Sequence, residues 1–285
     1  MRLSKMHGAG NDFIIIEDMD TLIPNAVLPE LARTLCDRRR SVGADGLMLV
    51  RPPEKSGDFA MLFFNSDGSM GEMCGNGARC IARYGHDHAL ASDHPVVEST
   101  AGLVSAERIS ETLYRIRLND PSVLSPHVPV CVEGVEYDCA YIELGNPGIP
   151  HAVLLWDELD FDALPSLRAL GSALRYAPVF PKGANVSFVK PLSPGRFMAA
   201  TFERGVEDFT LACGTGYGSI TAALSARGII ADGRAAILMP GGELSVSLEH
   251  SDGSVRDIYL TGPTCHVCDF ELVDLPESLS FLNKI

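Results

Sequence analysis

The sequence predicts an α+β protein made of two similar halves, and three observations carry that prediction. Short apolar runs rich in Val, Ile, Phe and Tyr dominate the chain, bounded by Gly, Pro, Asp and Asn. Helical patterns are few. A Cys-Gly-x-Gly element occurs twice, each time where a helix is due to start. The strand-like runs fall at 12–17, 46–51, 60–65, 96–99, 114–118, 141–144, 152–156, 185–190, 198–203, 235–240, 244–248 and 258–262. Helices are expected over 29–36, 77–90, 164–174 and 216–227, the last ended by Gly228. Many strands with few helices imply antiparallel or mixed sheets. The first half is expected to span 1–118 plus 263–285 and to carry Cys74, the second 119–262 and to carry Cys213, with a turn-rich crossing at Asn119-Asp120-Pro121.

Composition narrows the function classes. A chain of 285 residues, 46% hydrophobic and 21% charged, can bury one large core or two modest ones. A net charge of -14 argues against nucleic-acid or anionic-membrane partners, which require basic surfaces to displace counterions. The N-terminal residues lack an apolar signal core, and runs such as 13–16 and 152–156 are too short to span a bilayer. The expectation is a soluble protein of the cytoplasm. Eight cysteines are spread over the whole length, and in that compartment their thiols stay reduced. Most are therefore expected as small buried hydrophobes, with exceptions marked by their surroundings.

Two of them, Cys74 and Cys213, have such surroundings. A cysteine at the first turn of a helix meets unsatisfied backbone N–H groups at the positive end of the dipole, which favours its thiolate. The glycines allow close backbone approach, so the same N–H groups form a nest for a carboxylate. A thiolate on one side of an α-carbon and a thiol on the other can invert it without any cofactor. One removes the proton, the other returns one, and the N–H donors around the carboxylate stabilise the carbanion between. One copy of the element could be turn chemistry alone. Two copies in equivalent halves favour proton transfer. Neither cysteine has a partner at metal-ligand spacing, so no metal is expected.

At these residues the chain resembles the diaminopimelate epimerase family, from end to end. The match opens with Lys5-Met6-His7-Gly8-Ala9-Gly10-Asn11-Asp12-Phe13, and Val42-Gly43-Ala44-Asp45-Gly46 and Phe64-Asn65-Ser66-Asp67-Gly68-Ser69 follow. Next come Met73-Cys74-Gly75-Asn76-Gly77-Ala78-Arg79-Cys80, Glu203-Arg204-Gly205 and Thr210-Leu211-Ala212-Cys213-Gly214-Thr215-Gly216. Pro240-Gly241-Gly242 and Thr261-Gly262-Pro263 close it. The resemblance implies two halves, each a mixed or antiparallel sheet wrapped around a central helix, with the active-site cleft between them. It implies interconversion of LL- and meso-2,6-diaminopimelate in lysine and peptidoglycan precursor synthesis, without pyridoxal phosphate or another cofactor. Cys74 and Cys213 match the family's two proton-transfer residues. Asn11, Asn65, Asn146, Asn185, Glu203 and Arg204 match its substrate-binding side chains, and Gly75, Asn76, Gly214 and Thr215 its backbone nests. The expected partners are a small amino-acid substrate and a second copy of the chain in a homodimer.

The residue chemistry suits a substrate with an amino-acid group at both ends. Arg204 can grip a carboxylate with its planar fork, while Glu203 and asparagine oxygens can accept from an ammonium. Each asparagine could also be a turn former. For Asn146 both readings stand, because Gly145-Asn146-Pro147-Gly148-Ile149-Pro150-His151 carries three residues more than the family's Gly-Asn-Pro-His. The segment before Cys213 carries one extra residue, with Phe209 where Glu is usual. These departures keep open a racemase, isomerase or dehydratase of the same superfamily acting on another substrate. A thiol metal or redox protein using Cys74, Cys213 and the Cys265–Cys268 pair is the alternative from another class. Against it, simple alternation puts Cys265 and Cys268 on opposite faces of a strand.

Overall fold

The computed structural model describes residues 2–71, 74–251 and 253–284, so that Met73 of the first cysteine motif lies outside the described residues. The chain forms two compact units, one of Met1–Ile116 with Gly262–Ile285, the other of Arg117–Thr261.

The first unit contains β1 (Arg2–Gly8), β2 (Asn11–Glu17), α1 (Leu28–Cys36), β3 (Gly46–Arg51), β4 (Phe59–Asn65), the short β5 (Met70–Gly71), α2 (Gly75–Asp87), β6 (Val96–Ser99), β7 (Gly102–Arg108) and β8 (Leu113–Arg117). The second contains β9 (Pro121–Val132), β10 (Val135–Leu144), β11 (Ile149–Leu155), α3 (Leu164–Arg175), β12 (Asn185–Ser193), β13 (Arg196–Phe202), α4 (Gly214–Ala226), β14 (Arg234–Met239), β15 (Gly242–Ser251) and β16 (Ser254–Pro263). Finally β17 (Cys265–Glu271) returns to the first unit and pairs with β1.

The two units repeat one topology. In the order β17-β1-β2-β3-β4-β6-β7-β8, neighbouring pairs run antiparallel, antiparallel, parallel, antiparallel, parallel, antiparallel, antiparallel. In the order β9 to β16 the succession is the same. Each parallel pair is bridged by a helix, because a tight hairpin cannot join parallel strands. The bridging helices correspond: α1 and α3 cross the first parallel pair of their units, α2 and α4 the second. The expected α+β architecture of two similar halves is therefore what the chain adopts.

Burial explains the placement of the helices. Every residue of β3 is buried, with Leu47 and Leu49 packed in a cluster with α1 and with Met48 and Val50 in a second cluster with Cys80, Ile81 and Tyr84 of α2. A strand covered on both faces reads as an unbroken apolar run, as this one does. In the second unit α4 is buried all round from Gly216 to Ser225 and packs against β9–β12, β14 and β15. Buried residues on all its faces, with Tyr217, Ile220 and Leu224 on one side and the smaller Ser219, Thr221 and Ala222 around the rest, fit a central position. Fully burying a side chain such as Ile220 or Leu224 contributes about 1.5–3 kcal/mol.

Strands that the apolar pattern misses have physical reasons. β9 carries Pro121, Pro126 and Pro129 and reads as a loop, but among the described residues it pairs with β10 alone, and an edge strand tolerates proline. β1 lacks β-branched residues and is nevertheless paired on both sides. One expectation is corrected. A bulge opposite Lys5/Met6 sets Cys265 against His7 and Cys268 against Lys5, residues that share a face of β1, so the two cysteines lie on the same face. Both are exposed.

Polar ties fix the loop before β3. Lys5 sits 2.8 Å from Asp12, and Arg38 holds Asp12 with both terminal nitrogens (3.0 and 2.6 Å) and Asp45 with one (2.8 Å). Burial alone would raise the Asp12 pKa, but hydrogen bonds and charge from Arg38 and Lys5 bring it from 3.8 to about 2. A carboxyl with its folded pKa below its unfolded one contributes stability above about pH 4, lost as pH falls toward 2. Asp12→Asn is expected to cost about 2 kcal/mol in urea unfolding at pH 7, with the difference from wild type vanishing near pH 2. A deficit that persisted undiminished at low pH would exclude this account.

Candidate active site

Both cysteines cap central helices in the same backbone conformation. Cys74 precedes α2 with φ -122° and ψ 121°; Cys213 precedes α4 with φ -122° and ψ 106°. In each case the cysteine carbonyl accepts the first intrahelical bond, from Ala78 (2.7 Å) or Tyr217 (3.0 Å). The three residues between are the first helical positions, whose N–H groups have no acceptor within the helix. Cys74 is partly exposed and Cys213 buried.

The second glycine of each motif is dictated by packing. A Cβ on Gly216 would lie 3.0 Å from Cys213 Cβ, 3.2 Å from its Sγ and 3.2 Å from Thr201 Oγ1. On Gly77 it would meet Met48 Cε at 2.1 Å and Cys74 Cβ at 3.6 Å. Gly216→Ala therefore pushes directly on the thiol. The expected result is a loss of about 1–3 kcal/mol of stability with a kcat reduced up to about 100-fold, read by urea unfolding and steady-state rates. Wild-type kinetics in this variant would show that the thiol position is not critical.

In the first unit, Asn11, Asn76 and Asp45 form a chain of hydrogen bonds. Asn76 Nδ2 donates to Asn11 Oδ1 (2.6 Å) and Asn11 Nδ2 to Asp45 Oδ2 (3.0 Å). The fully buried Arg79 donates to Asn76 Oδ1 (2.8 Å) and to the Gly75 carbonyl (3.3 Å). The Asn76 side chain is thereby committed to the protein, while its backbone N–H is one of those in the first turn of α2. Asn65 lies exposed at the end of β4, with its amide on Ser69 Oγ (3.0 Å) and its backbone paired in the turn to Ser69. Asp45 and Arg79 carry no motif chemistry of their own in the sequence. Their signal is position: both lie inside the ordered motifs, and Arg79 is spaced to reach back over the first turn of α2.

In the second unit, Cys213 sits in a denser polar cluster. Its Sγ is 3.7 Å from Thr215 Oγ1, which is 3.0 Å from His151 Nε2. Glu203 bonds to the Cys213 thiol and accepts from the Thr210 hydroxyl. Asn185 Oδ1 accepts from the Arg204 backbone N–H (2.8 Å) and Asn185 Nδ2 donates to the Pro150 carbonyl (3.1 Å). The Arg204 guanidinium, exposed, donates to the Lys182 carbonyl (3.1 Å). Thus Cys213, Gly214, Thr215, Glu203, Arg204, Asn185 and His151 gather at one end of the unit's sheet. Asn146 stands apart, exposed in the turn ahead of a cis Pro147. Phe209 packs on Phe188 and Phe202, anchoring the segment that delivers Thr210.

The electrostatics hold protons in this cluster. Burial raises the Cys213 thiol well above its usual range, reinforced by the Glu203 charge and opposed by the Thr215 hydroxyl and the Gly216 N–H. Burial also raises Glu203, against hydrogen bonds from Thr210 and Cys213. His151, fully buried and near the Arg204 charge, is pushed down to about 3 and is neutral. Both acids are thus shifted upward, the buried thiol by far the more strongly. The thiolate expected from the helix terminus is corrected at Cys213: burial outweighs the helix-end N–H groups and holds the group as a thiol. Among the described residues no group of three or more His, Cys, Asp or Glu side chains could hold a metal ion.

The architecture is that of a known class of repeated α+β proteins. It superimposes on a Bacillus anthracis phenazine biosynthesis protein of the PhzF family with a TM-score of 0.69, covering 96% of this chain and 99% of that one at 14% identity. The particular family follows from sequence. A profile for diaminopimelate epimerase matches residues 3–117 and 144–267. The diaminopimelate epimerase of Carboxydothermus hydrogenoformans is 36% identical over 92% of this chain and 96% of its own length. That of Desulfitobacterium hafniense is 36% identical over 98% and 100%. The chain belongs to the diaminopimelate epimerase family, and so is an isomerase. No helix among the described residues is long and apolar enough to cross a membrane.

Proposed function

We propose that this protein interconverts LL- and meso-diaminopimelate by proton transfer at the α-carbon, with Cys74 and Cys213 as its two acid–base groups. The observation that carries the reading is the pair of cysteine-capped central helices in matching conformation, one in each of two units of identical strand succession. One thiolate takes the α-proton as the Cα–H bond breaks. The electron pair moves into the carboxylate, whose oxygens the helix-terminal N–H groups receive. The other thiol then protonates the carbon from the opposite face and is left as the thiolate. Proton count is conserved, and the two sulfurs exchange roles. Asn11, Asn65, Asn185, Glu203 and Arg204 supply the side chains that bind the two amino-acid ends, with the nests of Gly75-Asn76 and Gly214-Thr215 on the reacting carboxylate. The partners on this reading are the amino acid and a second copy of the chain, in the cytoplasm.

The exposed, lengthened turn at Asn146 favours one second reading, the same chemistry on a different amino acid. Incubation in deuterated water with LL-diaminopimelate and a panel of other amino acids separates them. Deuterium at the α-carbon together with meso product supports the proposal. Exchange only into another amino acid replaces the substrate, and no exchange into any member overturns both.

A further inference from the structure

The Thr215 side chain has a place in the cluster that its backbone role does not use. Its Oγ1 stands between two groups, 3.0 Å from His151 Nε2 and 3.7 Å from Cys213 Sγ. His151 comes from β11 and is fully buried, and its Nδ1 has no hydrogen-bond partner among the described residues. A neutral imidazole carries its single proton on one nitrogen. If that nitrogen were Nδ1, a buried N–H would be left without an acceptor, one of the rarest and most costly arrangements in a folded chain. With the proton on Nε2 instead, Nδ1 is left as a bare lone pair, and Nε2–H donates to Thr215 Oγ1. The hydrogen of the Thr215 hydroxyl is then turned away from His151, and the acceptor within reach is Cys213 Sγ.

We infer that the Thr215 hydroxyl is a dedicated donor to the Cys213 thiolate, and that the Nε2–H tautomer of His151 sets its direction. The inference rests on the proposed role of Cys213 as an acid–base group. Three ionisable groups surround the sulfur and its donor. Glu203, at the end of β13, bonds to the thiol and opposes its ionisation; His151 is held neutral; Arg204 acts on His151 by charge. The Thr215 bond runs against Glu203. When Cys213 gives up its proton to carbon, Thr215 is already oriented to receive the negative sulfur, and when the thiolate is reprotonated the bond weakens to an ordinary neutral one. Thr215 thus contributes twice, by its backbone N–H to a carboxylate nest and by its side chain to the sulfur.

Two measurements on the full-length protein test this. Nitrogen NMR of histidine-labelled protein, with the His151 signals assigned by their loss in His151→Gln, is expected to show Nε2 protonated and Nδ1 bare. A protonated Nδ1 overturns the inference outright, without any variant at Thr215. Second, the alkylation rate of Cys213 by iodoacetamide is followed against pH by peptide mass mapping. Thr215→Ser keeps the hydroxyl and is expected to reproduce the wild-type profile. Thr215→Val keeps shape and backbone N–H, and is expected to move the profile up by about one pH unit, about tenfold slower below the midpoint. A Val profile that overlays wild type, or a Ser profile that follows Val, overturns the inference. If Thr215→Val does not fold, the tautomer decides. Deuterium exchange on the same wild-type preparation keeps the two proposals apart: its absence defeats the epimerase reading, while the NMR result stands by itself.

Discussion

Replacing either Cys74 or Cys213 by serine is expected to lower the epimerisation rate by about 100- to 10,000-fold, the usual contribution of a positioned proton-transfer group. Serine keeps the shape and the N-cap geometry, so the melting temperature should hardly move. It removes the chemistry, because a hydroxyl is far too weak an acid to share a proton with carbon at neutral pH. The two variants should nonetheless retain one half of the reaction. A substrate analogue with a leaving group on the β-carbon needs only one base: the α-proton is removed, the electron pair forms a C=C bond, and the leaving group departs with its electrons. Elimination should therefore survive in a variant whose remaining cysteine faces the proton. Either serine variant epimerising at near the wild-type rate would end the two-thiol mechanism.

The second large effect is expected at Arg204. Its backbone is tied to Asn185 and its guanidinium donates to a carbonyl at the surface of the cluster, leaving nitrogens that can face a substrate carboxylate. Arg204→Lys keeps the charge and loses the bidentate fork. A charged hydrogen bond is worth about 1.5–3 kcal/mol, so kcat/KM for diaminopimelate should fall by about 10- to 100-fold. An amino acid with a single carboxylate should be turned over, if at all, with little change. Unaltered turnover of diaminopimelate in this variant would remove Arg204 from distal recognition and leave the cysteines untouched.

The two cysteines stand out in the sequence because helix capping is local: Cys-Gly-x-Gly before an apolar stretch describes its own geometry. The same holds for β3 and β6, where 46–51 and 96–99 are read with the bounds they have in the structure. What the sequence hides is made by distant segments. Glu203 meets the Cys213 thiol only because the intervening residues fold back, with Phe209 seated between Phe188 and Phe202 and Thr210 clamped on the carboxylate. Read along the chain, Phe209 is a change close to Cys213; in the fold it packs against the apolar core. His151 is delivered by the lengthened turn to the Thr215 hydroxyl, a contact across 64 residues that no spacing rule suggests. Alternation failed at Cys265 and Cys268 for a different reason, because one bulged residue inverts the parity on which it depends.

The return of β17 to β1 has a consequence for the order in which the protein is made. Residues 117–261 form the second unit as one uninterrupted stretch, whereas the first unit lacks an edge strand until 265–271 have been synthesised. On a ribosome working from the N-terminus, the half that begins later is the first whose complete sheet is available. Until β17 arrives, β1 presents an unpaired row of backbone donors and acceptors to its surroundings, the kind of edge that recruits other chains. Nascent chains in which residues 265–271 have not yet emerged should thus be more exposed to aggregation and to chaperone capture than chains in which β17 can reach β1.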